Sequence, residues 1–300
     1  MRILVTGTEG QVARAMRERG AFHGVDVIPV GRPTIDLASP SGLEDTLMEL
    51  GGDVIVNAAA YTAVDQAETE AELAQAINGI GAGALAGAAA AMNIPVIQIS
   101  TDYVFDGTKD APYREDDPVS PLGAYGLSKL MGEEAVAEET PNHVILRTAW
   151  VYSPFGKNFV KTMLRLAEGR DEVAVVGDQR GAPTNALDIA DGIIAVARNL
   201  TAYPKEREMR GIFHMTGTGT ASWAQFAAAI FECSAAFGGP TARVRPITTT
   251  EYPTPAKRPA NSVLDCTKIG SIHGVTLPSW RMSLEPCVKR ILEEARERAS

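Results

Sequence analysis

Cysteine is scarce in this sequence. Cys233, Cys266 and Cys287 are odd in number and share no metal-ligand spacing, which argues against a disulfide scaffold or a zinc cage and favours reduced thiols at or near a core. Redox chemistry at cysteine is not expected. Histidine is equally thin: His23, His143, His214 and His273 form no HxxxH or comparable pattern, so they are read as structural or surface residues and no metal site is expected. Apolar runs are interrupted by Gly, Pro or charge before bilayer length, and no membrane span is expected. An excess of basic residues is missing too. With 28 Lys and Arg against 37 Asp and Glu, the net charge of -9 disfavours nucleic acid as a partner and favours a small molecule, including a phosphorylated one in a locally positive pocket. The opening MRILVTGTEG lacks the apolar core and cleavage site of a signal peptide and reads as a strand entering a glycine turn. A cytoplasmic location is expected.

What the sequence has in abundance is alternation. Apolar runs at Ile3 to Val5, Val25 to Val30, Val54 to Val56, Val96 to Ile99 and Val144 to Leu146 read as buried parallel strands. Between them Gln11 to Arg19, Leu43 to Leu50, Ala71 to Met92 and Tyr125 to Glu139 read as helices covering both faces of one sheet. The expected fold is α/β, a doubly wound Rossmann-type parallel sheet with a smaller C-terminal substrate-binding part. Its expected division is a dinucleotide-binding domain over 1–155 and a mainly substrate-binding part over 156–300, with segments at about 185–215 packing back onto the first. The Ala-rich GAGALAGAAAAM, Gly81 to Met92, is read as a buried helix lying close against strands. The Pro-rich EYPTPAKRP, Glu251 to Pro259, is read as an ordered loop over the substrate.

Five short blocks carry chemistry. In TGTEGQVA, Gly7 and Gly10 would let backbone approach a pyrophosphate at a helix N-terminus, with Ala13 at the third small position. In VGRPTIDL, Arg32 favours the 2'-phosphate of NADPH over NADH, or is a solvated loop charge, and Asp36 and Leu37 would border the adenine. In NAAAYTAVD, Ala58 to Ala60 leave room for a flat cofactor that Tyr61 and Thr62 could touch. Thr101 of STDYVFDG should emerge at the carboxyl end of a strand, where its hydroxyl can meet a substrate oxygen. Tyr125 and Lys129 of GAYGLSK stand at i and i+4 on one helix face. A tyrosine working as an acid near neutrality needs its phenolate stabilised, and an adjacent ammonium does that.

Together these blocks resemble the extended short-chain dehydrogenase/reductase superfamily. GTEGQVA, DVIVNAAAYTAVDQAE, STDYVFDG, YGLSK, RTAWVY, NFVKTMLRLA, DQRGAPT and YPTPAKRP are similar, within it, to the dTDP-4-dehydrorhamnose reductase family, from Met1 to about Arg298. The resemblance implies NAD(P)H-dependent reduction of the C4 ketone of dTDP-4-dehydro-6-deoxy-L-mannose to dTDP-L-rhamnose, a precursor of polysaccharide. It implies Tyr125 as proton donor, Lys129 as ribose contact and pKa modifier, and Thr101 as the hydroxyl polarising the keto oxygen. It places Gly10, Gln11 and Val12 on the cofactor turn, Asp36 and Leu37 on the adenosine side, and Ala60, Tyr61 and Thr62 under the cofactor. Asp102 would reach substrate and Trp150 would lie beside the sugar. Arg258 is assigned to the substrate diphosphate by its chemistry and its loop, pairing with a carboxylate being the alternative.

The resemblance also exposes a departure. Some family members form a Mg²⁺-containing dimer through three glutamates, and here Ala15 and Leu187 stand at two of those positions while Glu294 keeps its carboxylate. Hard Mg²⁺ prefers several oxygen ligands, so that metal is not expected, and a homodimer stays compatible with its absence. Two rival readings share the fold: an epimerase or dehydratase with retained NAD⁺, and a non-catalytic NADP-binding regulatory subunit. Tyr103 stands where dehydratases carry an acidic residue, and intact Thr101, Tyr125 and Lys129 favour catalysis over regulation.

Overall fold

A computed structural model of the protein describes residues 1–299. Strand β1 (Arg2–Thr6) passes through the glycine turn into α1 (Gln11–Phe22), followed by β2 (Asp26–Val30), α2 (Leu43–Leu50) and β3 (Val54–Asn57). A short α3 (Val64–Ala67) precedes α4 (Ala71–Gln75), which runs through a π-helical turn, Ala76–Ile80, into α5 (Gly81–Ala91). Then come β4 (Val96–Thr101), α6 (Ala124–Glu139) and β5 (His143–Thr148). The rest of the chain adds β6 (Val151–Tyr152), α7 (Phe159–Ala167), β7 (Glu172–Val176), β8 (Arg180–Gly181), β9 (Thr184–Asn185) and α8 (Ala186–Ala202). It ends with β10 (Gly211–His214), β11 (Ala221–Ser222), α9 (Trp223–Ala236), β12 (Arg243–Ile247), α10 (Thr267–His273) and α11 (Trp280–Ala299).

Strands β10, β5, β4, β3, β1 and β2 lie in that order in one parallel sheet. The expected doubly wound architecture is therefore present. Period-two alternation sends Ile3 and Val5 to one face, with Val12 and Met16 of α1 and Ile189 and Ile193 of α8, and sends Leu4 to the other, with Leu47 of α2 and Leu85 of α5. Both faces are covered, which is why the strands read as unbroken apolar runs rather than as alternating ones. The order in which strands are added reverses between β1 and β3, so the crevice where ligands bind in such sheets opens beyond Thr6 and Asn57.

The π-helical turn and the Ala-rich helix that continues it pack closely against α6: a Cβ on Gly132 would fall 2.0 Å from the carbonyl oxygen of Asn78 and 3.4 Å from Ala82 Cβ. Small residues are needed there. By length and composition the continuous run Ala71–Ala91, 21 residues at a mean hydropathy of 1.2, could cross a membrane, and 56% of its apolar window is buried within the protein. That burial agrees with the reading of Gly81 to Met92 as a core helix, its apolar character coming from Gly and Ala rather than from a block of large aliphatics.

A second core lies outside the sheet. Tyr152, Val160, Phe226, Trp280, Leu284 and Val288 gather where α7, α9 and α11 meet the parallel pair β7 and β12. Three helix starts in this half are capped: Asn158 accepts from Lys161 N, Asn185 from Leu187 N, and Ser222 and Gln225 form a reciprocal capping box.

Candidate active site

The glycine turn after β1 is held by Gly7 N donating to Val30 O at 2.7 Å, with Gly7 at a φ of 89° that a side chain would disfavour. Gly10 is the N-cap of α1 and provides no side-chain oxygen, so the first N–H groups of the helix are available to an anion such as a pyrophosphate. Beneath the turn runs a buried polar ladder: Thr6 Oγ1 donates to Asn57 Oδ1 at 2.6 Å, and Asn57 Nδ2 donates to Gln98 Oε1 at 2.7 Å. Ala59 N donates to Thr6 Oγ1 at 3.0 Å, which ties the alanine stretch to the turn. The glycines, the uncapped helix and the small residues beside them fit a dinucleotide.

The side chain of Gln11 points inward. Its Oε1 accepts from Ser153 Oγ at 2.7 Å and from Asn158 Nδ2 at 3.0 Å, so what Gln11 and its buried neighbour Val12 offer a ligand is backbone. Arg32 is exposed and has no ion pair among the described residues, leaving its guanidinium free for a phosphate. Asp36 is exposed and folds back to accept from Ala38 N at 3.0 Å, while Leu37 is buried against α5. Thr62 is exposed and Ala60 half-buried. The hydroxyl of Tyr61 donates to Glu70 Oε2 at 2.8 Å, and its backbone is clamped by Asn78, whose Oδ1 accepts from Tyr61 N at 2.8 Å and whose Nδ2 donates to Tyr61 O at 3.1 Å. Asn78 sits in the π-helical turn, a distortion that re-aims side chains and recurs at functional sites.

At the carboxyl end of β4, Thr101 lies level with Thr148 of β5. Its hydroxyl donates to Asp102 Oδ1 at 3.0 Å and accepts from Tyr103 N at 3.2 Å. Tyr125, in the first turn of α6, brings its phenol to the Thr101 hydroxyl; that contact favours the phenolate, but burial prevails and pushes the group above its ordinary value. Tyr103 meets the Tyr125 ring edge-on with centroids 5.6 Å apart. One turn further, buried Lys129 donates from Nζ to Ile99 O at 2.6 Å. Burial draws this ammonium down to about 8, with the Glu133 carboxylate opposing. The ammonium was expected to act on Tyr125, yet its bond is to a backbone carbonyl and the groups acting on the phenol are Thr101, Asp102 and Tyr103.

Three residues that were not singled out from sequence support this helix from below. Arg147 Nη2 donates to Glu133 Oε2 at 2.6 Å and its Nε to Oε1 at 3.0 Å, while Ser100 Oγ donates to Glu133 Oε1 at 2.5 Å. The pair is buried, at 2% and 3% exposure. Its signal in the sequence is the same four-residue step repeated, Tyr125, Lys129, Glu133.

The Pro-rich segment is tied to α3 through Asp65. Arg258 Nη2 donates to Asp65 Oδ2 at 2.8 Å, and Ala256 N donates to Asp65 Oδ1 at 3.3 Å. The Arg258 charge also favours the Tyr103 phenolate, although burial holds that phenol up at about 12. Asp102 is buried, and desolvation pushes its carboxyl up to about 6 against hydroxyls of Ser262 and Thr101 that favour the anion. The fold thus brings Thr101, Asp102, Tyr103, Tyr125, Lys129 and Arg258 together, and leaves Arg32, Asp36 and Leu37 beyond β2 at the far edge of the sheet. Trp150 follows β5 with a φ of 48° and stacks on Trp223, ring centroids 3.5 Å apart.

A family model described as RmlD substrate binding domain matches residues 1–293. The chain belongs to that family. Among its members, a dTDP-4-dehydrorhamnose reductase of Sinorhizobium fredii is 48% identical over 99% of this chain and 100% of its own. A solved dTDP-4-dehydrorhamnose reductase from Clostridium acetobutylicum superposes with a TM-score of 0.88 at 38% identity, covering 97% of this chain and all of that one. Another, from Bacillus anthracis in complex with NADP, gives 0.87 at 34%, covering 95% and 98%.

Within the RmlD family framework, the three positions considered for a metal differ in what they offer. Ala15 lies on the buried face of α1 and Leu187 packs against the same core. Glu294 is held by Arg290 at 2.9 Å and by Arg298 at 3.8 Å. Among the described residues no group of three or more His, Cys, Asp or Glu side chains could hold a metal ion.

Proposed function

We propose that this chain reduces the C4 ketone of dTDP-4-dehydro-6-deoxy-L-mannose to dTDP-L-rhamnose, in keeping with relatives named dTDP-4-dehydrorhamnose reductase. The observation that carries the reading is the gathering of Thr101 and Tyr125 at the carboxyl end of β4, Tyr103 bonded through its N–H to the one and edge-on to the ring of the other, beside a crevice whose glycine turn fits a dinucleotide. NADPH, when bound, supplies the hydride that goes to C4. Tyr125 gives its proton to the developing alkoxide, and Thr101 holds the same oxygen by a hydrogen bond that strengthens as charge grows on it. Lys129, one turn along, orients the ribose and contributes positive charge. Asp102 and Trp150 hold the sugar, Arg258 the diphosphate, and Arg32 the 2'-phosphate that distinguishes NADPH from NADH. Residues 156–300 are assigned chiefly to the substrate. A cytoplasmic location belongs to this reading, in keeping with three unpaired cysteines.

The test is oxidation of NADPH, and separately of NADH, by the purified protein with freshly generated keto sugar, the C4 configuration of the product being read by NMR. Rapid oxidation yielding dTDP-L-rhamnose is expected, and Arg32→Ala should narrow the ratio of the two rates. Tight NADPH binding without oxidation would instead favour a regulatory subunit, and purification with tightly held NAD⁺ would favour an epimerase.

A further inference from the structure

Trp150 combines two unfavourable geometries. Its φ of 48° lies in the left-handed region, which bulky residues rarely enter. Its indole lies face to face on Trp223, planes 7° from parallel and centroids 3.5 Å apart, whereas aromatic pairs left to themselves prefer offset or edge-on arrangements. Strain of this kind persists only where the surroundings over-determine it, and it gathers at sites that bind or react.

Those surroundings form one unit. A Cβ on Gly181 would fall 2.4 Å from Cε2 of the Trp150 indole, so only glycine leaves the ring its place. Gly181 lies in β8, which pairs with β11, Ala221 opposite Gly181 and Ser222 opposite Arg180. Trp223 follows directly and opens α9, its backbone fixed by the Ser222 and Gln225 capping box. The strand that makes room for Trp150 is thus bonded to the strand that delivers Trp223. Arg180 also donates from N to Ala260 O at 2.8 Å, which couples the unit to the loop that carries Arg258.

Resting on the reductase reading above, we propose that Trp223 is a positioning residue for the hexose of the nucleoside diphosphate sugar. It fixes the plane of the Trp150 indole, so that a preformed aromatic platform meets the apolar C–H face of the sugar, with Gly181 setting the clearance. Ordering the platform before the sugar arrives removes that ordering from the binding step. The effect belongs to sugar binding, common to ground and transition state, so it should fall on KM and spare kcat.

The experiment compares full-length wild type with Trp223→Ala, Trp223→Phe and Gly181→Ala. The stack is read by the coupled-indole signal in circular dichroism, and the fold by thermal unfolding and NADPH affinity. Trp223→Ala should lose the coupled signal and raise KM for the keto sugar by about threefold to tenfold, with kcat and NADPH affinity near wild type. Trp223→Phe should recover part of the loss. Gly181→Ala, which displaces the indole without touching the core behind Trp223, should raise the same KM and keeps the test alive if Trp223→Ala does not fold. A wild-type KM in a variant that has lost the coupled signal overturns the proposal. So does a parallel fall of KM performance, NADPH affinity and thermal stability in both Trp223 variants, which would mark Trp223 as core alone. If wild type turns over no keto sugar, the reductase reading fails instead. The platform is then judged by fluorescence titration with dTDP-L-rhamnose: weaker binding by Trp223→Ala upholds it and equal binding overturns it.

Discussion

The proposed cofactor side and the proposed sugar side of this crevice are built by opposite means. Around the glycine turn the surfaces offered are backbone and small residues: Gly7, Gly10, Ala58 to Ala60, and an α1 N-terminus without a side-chain cap. Around Trp150 the side chains are large rings, Trp223 stacked on it and Phe159 tilted against Trp223, with fully buried Phe226 behind them. A site made of backbone is damaged by adding a methyl group, and a site made of rings by removing one. Between them stand Thr101, Tyr125 and Lys129, whose chemistry would need both sides correctly placed.

The largest expected effect separates chemistry from either side. Tyr125→Phe should lower kcat by about 10²- to 10⁴-fold while NADPH affinity stays near wild type; single-turnover kinetics with a parallel binding titration measures both, and near-normal turnover would sink the proton-donor role. A comparable free energy is expected in stability from the ion pair under α6. Arg147→Met leaves the Glu133 carboxylate buried beside Ser100 with its cationic partner gone, a change that costs about 3–5 kcal/mol when one partner of a buried pair is removed. Urea unfolding reads it, and a loss under about 1 kcal/mol would show that the carboxylate finds another partner or a proton. Replacing both, Arg147→Met with Glu133→Leu, should recover much of that loss, since a buried pair exchanged for apolar volume is often neutral.

The two sides also differ in how much of them could be read from sequence. Strands, their order of appearance and the glycine turn are local patterns: Ile3 to Val5 must be buried on both faces, and TGTEGQVA announces both a turn and a helix start. Tyr125 and Lys129 share a helix face by spacing alone. Trp223, Gly181 and Asn78 gave no such signal, because each acquires its place through a partner distant in the chain. Gly181 is one glycine among 28 until Trp150 is seen against it. Asn78 lies inside what reads as an unbroken helix, and only the π-helical turn aims it at Tyr61. Arg147 sits in an apolar strand where a charge looks out of place, and its buried partner lies on another element. The inward turn of Gln11 was hidden too, since the resemblance assigns the position without saying which of its atoms meets the ligand.

Asp102 offers a way to sharpen the sugar side by pH. Its carboxyl is held up at about 6 from an ordinary 3.8 because it is buried, so between those values the folded protein binds more protons at this group than the unfolded chain does. Stability from this group therefore falls as pH rises from about 4 to 6 and stays lower above, by up to roughly 3 kcal/mol. Asp102→Asn removes the titration. Its stability relative to wild type should climb across that window and level off above it, as urea unfolding at a series of pH values would read. A difference that does not change with pH would mean that the carboxyl titrates as it does in the unfolded chain.

The smallest effect tests the cofactor side by addition. At Gly7 a methyl group has space, with Ala59 Cβ at 3.6 Å and Ala13 Cβ at 3.8 Å, so the penalty of Gly7→Ala comes from the φ of 89° and not from collision. A left-handed conformation costs an alanine roughly 1–2 kcal/mol. Part of that should appear as lower stability and part as weaker NADPH binding, since the turn can relieve itself only by moving the amides proposed to face the pyrophosphate. The coupled-indole signal of Trp150 and Trp223 should be untouched. A Gly7→Ala protein that binds NADPH normally but loses the signal would mean that the two sides are one cooperative structure, joined through Gln11, whose side chain bonds to Ser153 and Asn158 just past Trp150. The opposite pattern, weaker NADPH binding with the signal intact, would leave backbone recognition and ring recognition as separable parts of one crevice.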